Sequence, residues 1–155
     1  MTLILRRLRW LWLVGLAGCA HASPPAPGCP AFSAADPSRQ AAIASRLRVQ
    51  PGLVAVEPPP LVCFARGQDR GVLLGEAAIV DPRHSDAELA AQLGHLAVHR
   101  ADRIGDGCAR GLAAALASEQ RAVAVESQLR SALALPAAPA PAAALADYQR
   151  RCAKP

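Results

Sequence analysis

Aromatic side chains are nearly missing from this chain: Phe, Trp and Tyr together make up 3% of its 155 residues. Both tryptophans, Trp10 and Trp12, stand close to the N-terminus, which leaves Phe32, Phe64 and Tyr148 as the rings available to a folded domain. Its core must come from Leu, Val, Ile and Ala. These thin side chains bury less area apiece, and small domains built from them commonly gain stability from cross-links. No cluster of basic residues interleaved with aromatics is present, which argues against a nucleic-acid partner. None of the five cysteines shows C-x-x-C spacing, so a thiol redox motif or a cysteine zinc site has no support. The uncharged run Trp10 to Gly18 is about half of the ~20 residues that a membrane-crossing helix needs.

That run is informative for another reason. Arg6, Arg7 and Arg9 precede it, and the small residues Ala17 and Gly18 follow, the order of a secretory signal peptide. Leu16-Ala17-Gly18-Cys19 resembles the lipobox of bacterial lipoproteins. The resemblance implies cleavage before Cys19, acyl chains on that residue and stable anchoring by more than one chain. Membrane lipid, held through Cys19, is then the one partner the sequence names. It implies a periplasm-facing location in the cell envelope, with the outer membrane favoured because Ala20, not aspartate, follows the cysteine. Removing residues 1–18 leaves fourteen basic against twelve acidic residues, a net charge of +2, so the basic pI of the whole chain is largely a property of the leader.

The chain then divides into a signal peptide (1–18), a proline-rich tether (19–36) and one small domain (37–155). Four cysteines remain after Cys19: Cys29, Cys63, Cys108 and Cys152. In an oxidising compartment an even set reads as two disulfides, for which three connectivities are open. The expectation carried forward pairs Cys29 with Cys63 and Cys108 with Cys152.

Periodicity and breakers predict an α+β domain, mainly helical. Asp36 caps a first helix from Pro37 to about Val49. Leu53–Val56, Leu61–Phe64 and Gly71–Val80 are short β-rich runs bounded by Pro and Gly, read as a small antiparallel sheet with Gly67–Gly71 as a hairpin loop. Ser85-Asp86-Ala87-Glu88 has the form of a capping box and opens a helix over about 85–101. Gly105-Asp106-Gly107 breaks it. A long helix over Ala109–Leu135 and a short final one over Ala142–Cys152 follow.

On the capped helix, His95 and His99 stand four residues apart and project from one side. On the long helix, a wheel centred on Leu112, Leu116 and Val123 places Glu119 and Glu126 on the apolar face. A buried carboxylate needs a cation, a donor or a metal beside it. Strands, a helix carrying His95-Leu96-Ala97-Val98-His99 and a later helix with Glu119 resemble the minimal core of the gluzincin zinc metallopeptidases, whose motif is H-E-x-x-H plus a downstream glutamate. The resemblance implies His95, His99 and Glu119 as zinc ligands. It departs at Leu96, which stands where the family has the glutamate that acts as general base. Three functional readings follow: a non-catalytic relative of a metallopeptidase used for binding or structure, a zinc hydrolase with an atypical base such as Glu126, and a purely structural envelope lipoprotein. In the metal-free version of any of them, His95 and His99 are hydrogen-bonded to Glu119 or backbone. Glu126 has Arg130 as an i,i+4 partner, Glu88 is a cap, His84 is solvated in its loop, and His21 belongs to the tether.

Overall fold

The structure, a computed structural model, describes residues 29, 32–48, 61–68, 70–103, 111–138, 145–146 and 149–150. The leader, Cys19, the Leu53–Val56 run, Cys108, Cys152 and most of the expected 142–152 helix lie outside the described residues. In chain order the elements are β1 (Ser33–Ala34), α1 (Pro37–Arg48), β2 (Leu61–Phe64), β3 (Val72–Leu74), β4 (Ala77–Val80), α2 (Asp86–Ala101) and α3 (Leu112–Ala132). This is an α+β domain, mainly helical, with a small sheet ahead of two packed helices.

The helix starts follow from local chemistry. Asp36 Oδ1 accepts from the Ser38 amide at 2.8 Å and the Ser38 hydroxyl at 2.6 Å, satisfying amides that the first turn of α1 leaves open. At α2 the Ser85 hydroxyl accepts from the Glu88 amide, and Glu88 Oε2 accepts from the Ser85 amide at 2.8 Å, a complete capping box. His84 is half-buried, not fully solvated as its loop position suggests. Its carbonyl and that of Pro82 both accept from Arg39, which ties α1 to the entrance of α2.

The sheet departs from the expected antiparallel arrangement. Its order is β1-β2-β4-β3, and the central pair β2–β4 runs parallel, with Leu61 opposite Ala77 and Phe64 opposite Val80. The hairpin is β3–β4, turning through Gly75 at φ +60°, a conformation that glycine adopts without cost. Gly67–Gly71 is therefore a crossover, not a hairpin loop. The physical reason lies in β4: all four of its residues are buried. A strand apolar on both faces belongs in the middle of a sheet, with neighbours on either side.

The sheet separates two apolar layers. Toward the helices lie Ile43, Leu47, Val62, Val80, Leu89, Leu93, Leu96 and Leu129, each contributing roughly 1.5–3 kcal/mol by burial if a leucine or valine. On the other face Cys29, Cys63, Ala77 and Ile79 pack with Phe32 and Leu61. Here Cys29 and Cys63 form a disulfide, with Cα atoms 5.7 Å apart. The segment 29–36, assigned from sequence to the tether, thus supplies a core cysteine and an edge strand; the folded part begins by Cys29.

Helix α2 is the centre of the domain, packed on α1, the sheet and α3, and buried nearly all round. Its contact with α3 is close because the facing residues are small. The buried line of α3 runs through Ala115, Ser118, Glu119, Ala122 and Leu129, whereas Leu112, Leu116 and Val123 are only half-buried. The wheel drawn through those larger residues was rotated from the true seam, although it placed both glutamates inward.

Candidate metal centre

Where α2 crosses α3, the two helices bring four titratable side chains together. His99 Nε2 lies 3.0 Å from Glu119 Oε2 and 3.0 Å from His95 Nε2, and His95 Nε2 lies 3.6 Å from the same carboxylate oxygen. The site is buried: Glu119 is 2% exposed and His99 5%. Among the described residues this is the group of His, Cys, Asp and Glu side chains arranged to hold a metal ion. The i,i+4 spacing on α2 aligns the two imidazoles. Glu119 faces them because α3 returns against α2.

The far nitrogens are also occupied. Ser118 Oγ lies 2.9 Å from His99 Nδ1, and Asp102 accepts from Arg121 Nη2 at 2.7 Å. The hydroxyl accepts from a protonated Nδ1 or donates to an unprotonated one, so it serves either tautomer of His99. His95 Nδ1 faces Glu126 Oε2 at 3.1 Å. The pair is within reach but not aligned as a hydrogen bond, and Nδ1 has no water-accessible surface.

Two imidazole nitrogens and a carboxylate oxygen point at one place. In the metal-free protein Glu119 Oε2 accepts a hydrogen bond from His99 Nε2 at 3.0 Å, with His95 Nε2 3.6 Å from the same oxygen. Burial alone would lower the His95 pKa, but hydrogen bonds and charge from Glu119 and Glu126 raise it to about 9. Likewise burial would raise Glu119, yet contacts with His95 and His99 hold it down at about 2. For Asp102, too, burial pushes upward, and the bonds from Ser118 and Arg121 keep the group below its ordinary value.

The donor set also fits a metal. Ligand atoms of a tetrahedral ion bound at about 2.0–2.1 Å are about 3.3 Å apart. The observed separations of 3.0, 3.0 and 3.6 Å bracket that value. Two imidazoles and a carboxylate suit zinc and its neighbours in the transition series, whereas a magnesium or calcium site would be built of oxygens.

The remaining residues singled out from sequence fall as follows. Leu96, one residue after the first histidine, is 4% exposed and belongs to the apolar core beside the sheet. Glu126 has its expected partner, with Arg130 Nη1 at 3.4 Å from Oε1, and in addition faces His95. Glu88 is a cap. Ser118 and Asp102 escaped sequence reasoning. One signal was available: Ser118 directly precedes the inward Glu119 on the same helix.

No family model matches this chain, and no curated protein or solved structure matches it either.

Proposed function

We propose that this chain is a lipid-anchored envelope protein whose domain holds a divalent metal ion, zinc by its donor chemistry, between α2 and α3, without peptidase activity. The observation that carries the reading is the convergence of His95 Nε2, His99 Nε2 and Glu119 Oε2 while the outer nitrogens face Ser118 and Glu126. That division, one imidazole nitrogen inward and the other on an oxygen acceptor, is how proteins orient histidine ligands.

A bound zinc ion would supply charge compensation and a cross-link between helices 20 or more positions apart in the chain. Hydrolysis needs in addition a proton acceptor beside the inward face of the centre. Leu96 offers none. Glu126 is engaged with Arg130 and faces Nδ1 of His95, the nitrogen turned away from the three convergent atoms. The leader and lipobox support anchoring through Cys19 at the periplasmic side, with the outer membrane favoured.

The test is a stability titration with free zinc. A ligand that binds only the folded state stabilises it by about 2.7 kcal/mol at a hundred times its Kd. Wild type should gain stability in this way and Glu119→Gln should lose most of the gain. Binding should release a proton, because the ion replaces the one on His95. A wild-type protein indifferent to zinc would make the cluster a hydrogen-bonded core instead. Peptide hydrolysis abolished by chelator and by His95→Ala would make the protein an enzyme.

A further inference from the structure

Each imidazole of the centre is met on its far nitrogen by an oxygen from α3. For His99 it is Ser118 Oγ, 2.9 Å from Nδ1. For His95 it is Glu126 Oε2 at 3.1 Å, whose partner oxygen is 3.4 Å from Arg130, and Arg130 Nε donates to the Pro136 carbonyl at 2.7 Å. Leu93, Leu129 and Val125 pack in the apolar core beside these contacts.

We propose that Glu126 and Ser118 are positioning residues that accept the Nδ1 protons of His95 and His99 when a metal ion takes their Nε2 atoms, and so set the metal affinity of the centre. The proposal rests on the reading of His95, His99 and Glu119 as metal ligands.

The argument is one of available acceptors. A histidine binds a metal through an unprotonated nitrogen, so a proton that stays on the ring must sit on the other one. For His95 that nitrogen is Nδ1, which has no water-accessible surface and faces the Glu126 carboxylate at 3.1 Å. For His99 it is again Nδ1, and its acceptor Ser118 is 0% exposed. Arg130 holds the Glu126 carboxylate in place. Outer acceptors of this kind typically change metal affinity by about 10–100-fold when removed.

The experiment measures zinc affinity of the full mature protein by competition with a chromogenic chelator, alongside the melting temperature of each metal-free variant. Glu126→Met and Ser118→Ala remove the acceptors while keeping size and helix preference, and each should weaken zinc about 10–100-fold. Glu126→Gln retains an acceptor oxygen and should recover most of the affinity. If Ser118→Ala does not fold, Glu126→Met and Glu126→Gln carry the test. Variants that shift the metal-free melting temperature but bind zinc as tightly as wild type would overturn the positioning role alone. A wild type that binds no zinc would overturn the metal reading first, and this one with it.

Discussion

Gly94 of α2 packs against Leu129 and Val125 of α3, and substituting it measures how tightly that seam is built. A Cβ at position 94 would overlap Leu129 Cδ1, and its next neighbour is Val125 Cγ1 at 3.6 Å. Leu129 is 0% exposed, so its side chain has no solvent side to retreat to. In an exposed helix, Gly94→Ala would stabilise by about 1 kcal/mol. Overpacking of a well-filled core costs about 1–3 kcal/mol. The expected net is a loss between about zero and 2 kcal/mol, where propensity alone predicts a gain. Leu129→Ala by itself should cost about 2–5 kcal/mol. In the double variant the new Cβ occupies space that the leucine vacates, so the combined loss should fall short of the sum by about 1–2 kcal/mol. Urea unfolding followed by circular dichroism, with chelator present and the slope constant, gives all four values. The same spreading reaches the centre, because His95 follows Gly94 and Glu126 lies one turn from Leu129. Gly94→Ala should therefore reduce zinc stabilisation as well. Stabilisation by a full 1 kcal/mol with additive effects in the double variant would refute the close seam.

Reduction of Cys29–Cys63, whose partners are 34 positions apart, should cost about 3–4 kcal/mol by chain entropy, read as a shift in the urea midpoint between oxidised and Cys63→Ser protein. Asp81 is held well below its ordinary value of 3.8 by hydrogen bonds from the Arg83 side chain and amide and from the Gly67 amide. A depressed carboxyl stabilises above its unfolded pKa and loses that contribution as pH falls toward the folded one. Wild type should accordingly lose stability below about pH 4, and Asp81→Asn should show a flatter acid limb with lower stability at neutral pH. Cys19→Ser should abolish acylation and leave an unprocessed or soluble species; a mature protein beginning elsewhere, without acyl mass in the spectrometer, would refute the lipoprotein reading.

Much of the helical half was legible because its determinants are local. Ser85 and Glu88 close a capping box with groups three residues apart, and His95 and His99 share a helix side by spacing alone. The inward placement of Glu119 came from periodicity, although the wheel was centred on the wrong residues. Alanine and serine, not leucine, line the true seam, and hydrophobicity does not reveal where helices approach most closely. The sheet was harder. Ala77-Ala78-Ile79-Val80 shows no alternation, so nothing in it tells which strand lies on either side.

The sequence by itself determined the targeting expectation and the positions of α1, α2 and α3 with the caps at Asp36 and Ser85, since each depends on residue order over a few positions or on residue type. Only the tertiary structure decided the parallel pairing of β2 with β4 and the meeting of His95 and His99 with Glu119, Ser118, Asp102 and Glu126. Those relations join groups sixteen or more residues apart, and the second exists because α2, buried on most sides, packs closely on α3. In that seam, small side chains admit the second helix near enough for a carboxylate and two imidazoles to share one proton or one ion.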